Sequence, residues 1–302
     1  MATTKTAFIL ALMFFIYACE PEQNVPIDST QITPQGHLVM LGGGQRPAEI
    51  MKHVISLSPD STFLLIPMAS SIPDTIGWEQ RDELLSYGAL NVEILMLTES
   101  DKQNASIVEK LENAKGIWFS GGDQNRLMDY FSEPMRDAVR NAYQSGAVIA
   151  GTSAGTAVQS KTMITGDEQY PLSDRFDAFS QIRTGNVITS EGFGLVETMI
   201  VDQHFIKRNR LNRLINSLID SPTDMVAAGI DEATALWFAP GGRVEVLGES
   251  QVIILEKAED TVINTSGELS AAENIRMHIL SPGSVFYWDG IQTSRIVLNT
   301  SN

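Results

Sequence analysis

The chain has 302 residues and a formal charge of −16, with 21 lysines and arginines set against 37 aspartates and glutamates. So acidic a composition argues against nucleic acid as a partner, because neutralising a phosphate backbone needs a basic face. It argues equally against docking on an anionic membrane by charge alone. With 43% hydrophobic and 19% charged residues, the balance is that of a globular chain and not of a disordered one. The single cysteine, Cys19, excludes an intrachain disulfide framework and any multi-cysteine zinc site. Any chemistry that needs an imidazole must draw on His37, His53, His204 or His278.

The N-terminus reads as an address. Lys5 precedes the apolar run Ala7–Ala18, which is 12 residues long. That is too short to span a bilayer but suits the hydrophobic region of a signal peptide. The run closes on Tyr17-Ala18-Cys19, which resembles the lipobox of bacterial lipoproteins. Residues 1–18 are therefore expected to be a signal peptide. Cys19 is the expected lipidation site, and residues 19–36, with Pro21, Pro26 and Pro34, are a tether. This places the protein in the bacterial cell envelope, anchored by lipid outside the cytoplasm, or secreted if the anchor is absent.

From residue 37 to 302 a single domain is expected. His37–Leu41, Phe63–Pro67, Val92–Leu97, Gly116–Phe119 and Ala147–Ala150 are nearly continuous apolar runs. Helical patterns separate them at Pro47–Ser58, Trp78–Ser86, Ala105–Ala114 and Glu133–Ser145. Strands without a polar face, joined by helices, predict an α/β fold: a doubly wound, mostly parallel sheet with helices on both faces. Beyond residue 220, Met225–Ile230, Arg243–Glu249, Val252–Leu255, Ile275–Leu280 and Ser284–Trp288 predict extra C-terminal β structure.

The chemistry-bearing motifs follow predicted strands. Gly151-Thr152-Ser153-Ala154-Gly155 sits between the fifth strand and a short helix. A tight strand-to-helix turn exposes the serine hydroxyl, small neighbours avoid clashes, and the Ala154 amide at the helix start is placed to hold an oxyanion. Ser120-Gly121-Gly122-Asp123-Gln124 follows the fourth strand. Its glycines allow close backbone approach, and Gly121 and Gly122 are further oxyanion candidates, beside Gln124. Asp202-Gln203-His204 precedes Arg208, Arg210 and Arg213. Ser153 needs a base, and His204, at the end of a short apolar run, is a candidate among the four histidines. The three guanidiniums suit carboxylate recognition, or else pair with surface acids. A base histidine needs a carboxylate to fix its tautomer. Asp167, Glu168, Asp231 and Glu232 are all available, and spacing does not choose among them.

Together GTSAG at 151–155, FSGGDQ at 119–124, DQHF at 202–205 with the arginines at 208, 210 and 213, and GIDEATA at 229–235 resemble the cyanophycinase family. That family is related to dipeptidase E among serine peptidases with a class I glutamine-amidotransferase-like fold. VEVLG at 244–248 and NIRMHILSPG at 274–283 extend the resemblance. It implies Ser153 as nucleophile, His204 as base and Glu168, fifteen residues after the serine, as the acid. It also implies that Gln124, Asp202, Gln203, Arg208, Arg210 and Arg213 line the substrate pocket, with no metal and no organic cofactor. The expected substrate is an acidic peptide or cyanophycin, multi-L-arginyl-poly-L-aspartate, cut to β-Asp-Arg dipeptides. An Asp-X or isoaspartyl dipeptidase is the alternative enzyme. A non-catalytic surface lipoprotein binding acidic peptides is the alternative outside enzymes. The sequence allows a homodimer. The stretch between Glu168 and Asp202 departs from the family by its length and by Tyr170–Arg175.

Overall fold

The apolar runs of the first half assemble as a parallel sheet. In the computed structural model, which describes residues 35–171 and 181–299, they are β1 (His37–Leu41), β2 (Thr62–Ile66), β3 (Asn91–Ile94), β4 (Gly116–Phe119) and β5 (Val148–Thr152). Their order is β1-β5-β4-β2-β3, every pair parallel. Helices α1 (Ala48–Ser56), α2 (Pro73–Ser86), α3 (Ala105–Glu112), α4 (Gln124–Asp129) and α5 (Glu133–Gln144) occur between them. Side chains alternate across the sheet. Val39, Leu41, Phe63, Leu65 and Trp118 pack on Ile50, Met51 and Val54 of α1 and Leu84 of α2. Leu38, Met40, Ile66, Ile117 and Phe119 face the opposite core, with Leu111 of α3, Leu127 of α4 and Met135 and Val139 of α5. Burial on both faces is why these strands carry no polar alternation. Inside the first core, Trp118 Nε1 donates to Gln80 Oε1 at 2.8 Å, satisfying the indole that burial would otherwise strand.

The second half builds on this sheet in two ways. After α6 (Ala154–Ala157) come the hairpin strands β6 (Thr162–Glu168) and β7 (Val187–Glu191), then β8 (Met199–Asp202), α7 (Leu211–Asp220) and β9 (Val226–Ile230). The remaining strands are β10 (Thr234–Phe238), β11 (Arg243–Gly248), β12 (Val252–Asn264), β13 (Ala271–Leu280), β14 (Val285–Trp288) and β15 (Thr293–Val297). β10, β11, β14 and β15 extend the main sheet from β1 by antiparallel pairing, making nine strands. β6 and β7 pair only with each other, and β12 and β13 join β8 and β9 in a second sheet of order β13-β12-β9-β8. Met199, Val201, Val226, Ala228 and Ile254 of that sheet join the core that holds α3 to α5. Its other face receives Leu214 and Leu218 of α7 against Ile200, Ala227 and Leu255.

The expected C-terminal β structure is thus present, divided between two sheets. β12 and β13 are longer than their apolar segments suggested, reaching 13 and 10 residues. β10, TALWF, was not anticipated as a strand, yet it pairs directly with β1. The proposed leader and most of the tether lie outside the described residues. Among the described residues no helix is long and apolar enough to cross a membrane.

Candidate active site

Ser153 stands at the carboxyl end of β5, beside the end of β1, where parallel α/β sheets open a crevice. Its backbone is forced to φ 55° and ψ −110°, a region most side chains avoid. Both flanking glycines are required by space. A Cβ on Gly151 would lie 2.3 Å from the Gly155 carbonyl oxygen, and one on Gly155 would lie 2.3 Å from that of Phe119. The strained turn is pinned on both sides. Ser153 N–H donates to Leu41 O at 3.0 Å, and Thr156 Oγ1 donates to Leu41 O at 2.6 Å. Ala154 opens α6, so its amide has no intrahelical acceptor. Gly121 abuts the serine: a Cβ there would be 3.4 Å from Ser153 Cβ. Gly122 sits one step further away, at φ 144° against the Ala69 carbonyl.

The base arrives from the second sheet. β8 and β9 are parallel neighbours with Asp202 opposite Gly229, so the residues just past their ends, His204 and Glu232, emerge together. Ser153 Oγ lies 2.9 Å from His204 Nε2, and His204 Nδ1 lies 2.6 Å from Glu232 Oε1. A carboxylate only accepts, so Nδ1 carries the proton and Nε2 is left to accept from the serine hydroxyl. Burial of His204 lowers its pKa below the ordinary 6.5, and the charges of Arg208 and Arg210 act in the same direction, against the opposing pull of Glu232. The imidazole is therefore neutral near pH 7, the state a base needs.

Glu168, the acid implied by the resemblance, is not the carboxylate on the imidazole. It ends β6 opposite Val187, and its charge is felt at Arg213. Glu232 holds the position because strand pairing, not chain proximity to Ser153, brings an acid to His204. Asp167 is exposed on the same hairpin.

The motifs read from the sequence do not include the Gly42-Gly43-Gly44 loop, which follows β1. It packs directly on the relay. His204 N–H donates to Gly42 O at 2.6 Å, and Ala233 N–H donates to Gly43 O at 3.0 Å. A Cβ on Gly43 would stand 2.4 Å from His204 Cε1, and one on Gly44 would stand 2.8 Å from Glu232 Oε2. Three consecutive glycines after a strand were the available signal; their target lies some 160 residues away and was not readable.

The remaining candidates divide. Asp202 is 1% exposed and holds Arg213 by a two-point ion pair, Nε to Oδ2 at 2.6 Å and Nη2 to Oδ1. Burial works against the charge of Arg213, but Asp202 outweighs it and raises the guanidinium pKa. Arg210 Nη1 donates to the carbonyl and side-chain oxygens of Gln203, at 2.6 and 2.8 Å, and lies 3.7 Å from Asp202. Arg208 is exposed. Gln124 is buried, with Nε2 donating to Ile164 O and Thr165 O, both at 2.8 Å, so it ties α4 to β6. The arginines therefore do not form one uniform cluster. Arg213 is internal, Arg210 braces the His204 turn, and Arg208 faces solvent. No group of three or more metal-ligating side chains exists among the described residues.

Comparison with known proteins shows the family. The profile of Peptidase family S51 matches residues 38–246. A cyanophycinase of Synechococcus elongatus is 31% identical over 296 residues, covering 92% of this chain and 88% of that protein. A cyanophycinase of Nostoc sp. is 36% identical over 230 residues, 74% of each chain. The crystal structure of a peptidase from an acI-B1 Actinobacterium superposes with a TM-score of 0.61 at 27% identity, covering 85% of this chain and 99% of that one. A serine on a strained strand-to-helix turn, a histidine within hydrogen-bonding reach and a family profile spanning most of the fold identify the chain as a serine-type peptidase belonging to family S51.

Proposed function

We propose that the enzyme cleaves an aspartate-rich peptide, cyanophycin or its fragments, through an acyl-enzyme on Ser153. The observation that carries this mechanism is the continuous hydrogen-bonded line Ser153–His204–Glu232 at the crevice. Ser153 Oγ attacks the scissile carbonyl carbon while His204 Nε2 takes the hydroxyl proton. The oxyanion accepts from the Ala154 amide and the Gly121 backbone. Collapse expels the amine, which receives the proton from His204. Water then adds to the acyl carbon while giving a proton to the same nitrogen, and as the C–Oγ bond breaks His204 returns that proton to Ser153 Oγ and the acid leaves. Glu232 holds the imidazole in the right tautomer and stabilises the imidazolium as it forms. A cyanophycin substrate is supported by the curated relatives, which are named cyanophycinases, and recognition of a substrate carboxylate is supported by Arg208, exposed one turn from the base.

The test is to incubate purified protein with cyanophycin and, separately, with Asp-X and isoaspartyl dipeptides, and to identify products by mass spectrometry. β-Asp-Arg release, lost in Ser153→Ala, is the expected result. Cleavage of dipeptides alone would transfer the assignment to a dipeptidase, and peptide binding without turnover would leave a receptor. We also propose that the protein is lipid-anchored in the cell envelope through Cys19, on the strength of the N-terminal sequence alone. Membrane-extracted protein should begin at Cys19 and carry acyl mass; an unmodified N-terminus beyond Cys19 would refute the anchor.

A further inference from the structure

The turn that presents His204 is held by a second acid. We infer that Asp231 is a positioning residue for the base, fixing the backbone of the His204–Lys207 turn while its neighbour Glu232 fixes the ring. This deepens the assignment of His204 as base and rests on it. His204 is left-handed, at φ 48°, a conformation a residue with a Cβ keeps only when its surroundings enforce it. Its own amide is tied to Gly42 O, and Phe205 N–H donates to Ile230 O at 3.2 Å. The far side of the turn is closed by Asp231, whose Oδ1 accepts from Lys207 N–H at 2.9 Å. Its Oδ2 accepts from Ser250 Oγ at 2.6 Å, and its own N–H donates to Gln251 O at 3.2 Å. The side chain is thus fixed from the connection just before β12, independently of the turn it holds. Asp231 is 7% exposed, so few waters can replace it there.

Adjacent residues leaving a strand end point to opposite sides. Here one carboxylate meets the imidazole Nδ1 and the next meets an amide three residues beyond the histidine. The ring and its backbone are held from a single dipeptide. Displacing a reacting group by about an ångström can cost on the order of 100-fold in rate.

Asp231→Ala should therefore lower kcat by about 100-fold with KM within about threefold. Asp231→Asn keeps an oxygen for the Lys207 amide and should recover most of that loss. In a His204→Ala background, Asp231→Ala should cost nothing further, because there is no base left to position. A wild-type kcat in folded Asp231→Ala, or an equal further loss in the His204→Ala background, would overturn the inference. If Asp231→Ala does not fold, Ser250→Ala serves: it frees the carboxylate and should lower kcat severalfold at constant KM, and unchanged kinetics would overturn the inference equally. Wild-type turnover in His204→Ala would instead overturn the base assignment itself, which keeps the two failures distinguishable.

Discussion

Removing Arg213 should unfold the enzyme before it alters specificity. Asp202 is 1% exposed and the Arg213 side chain 10%, so neither charge has water to fall back on. Arg213→Ala leaves Asp202 with its own neighbour's amide, Gln203 N–H at 2.8 Å, and with Arg210 at 3.7 Å. Stripping one partner from a buried pair typically costs about 3–5 kcal/mol, since the other charge remains desolvated. At about 2–4 °C per kcal/mol for a domain of this size, the melting temperature should fall by about 6–20 °C. Arg213→Lys keeps the charge but loses the planar fork, and about 1.5–3 kcal/mol should go. Arg208→Ala, at an exposed position, should cost under about 0.5 kcal/mol. Urea unfolding at fixed protein concentration gives these values directly. A double replacement, Arg213→Met with Asp202→Leu, should be less destabilising than Arg213→Ala, because no lone charge is left behind. An Arg213→Ala protein melting within about 2 °C of wild type would refute the reasoning and return Arg213 to the substrate pocket.

Three further outcomes follow from the relay. Glu232→Gln should lower kcat about 10- to 1000-fold by unsettling the His204 tautomer, whereas Glu168→Gln should stay within about threefold; steady-state kinetics on both variants decides between the two acids. Gly43→Ala should cost at least about 100-fold in kcat, since its methyl would need the space of the imidazole, and a crystal structure of the variant should show the ring displaced from Ser153. The acid limb of kcat/KM reports His204 in the free enzyme. Because burial and the two arginines lower its pKa, the limb should fall below pH 6.5, and Arg208→Gln should move it upward, most clearly at low salt; an unmoved limb would contradict that electrostatic account.

Much of the site was legible because its first signals are local. Gly151–Gly155 encodes its own strained turn, and the strands that deliver it are apolar on both faces. Among four histidines, His204 was legible from its polar neighbours and from the family resemblance that implied it as base. The acid was not, because its place depends on β8 and β9 pairing in parallel, a contact between segments about 30 residues apart. Glu168 had proximity to the serine in sequence and no route to the imidazole in space. The place of Arg213 was not legible for a related reason. A guanidinium beside a base suggests a substrate, and nothing local reveals that Asp202, eleven residues before Arg213, already occupies it. β10 went unread because five residues between the Asp231–Ala233 turn and the Gly241-Gly242 turn carry little periodicity. Its buried place beside β1 is fixed by the sheet rather than by its own pattern.

The central claim is that Ser153 carries the acyl group. Reaction with a fluorophosphonate, followed by intact-mass measurement and peptide mapping, tests it in one step. One phosphonyl group per chain, placed on Ser153, formed at a rate that falls in His204→Ala and Glu232→Gln, is the expected result. An enzyme that hydrolyses its substrate yet gains no adduct, or gains it at another serine at an undiminished rate in those variants, would contradict the account.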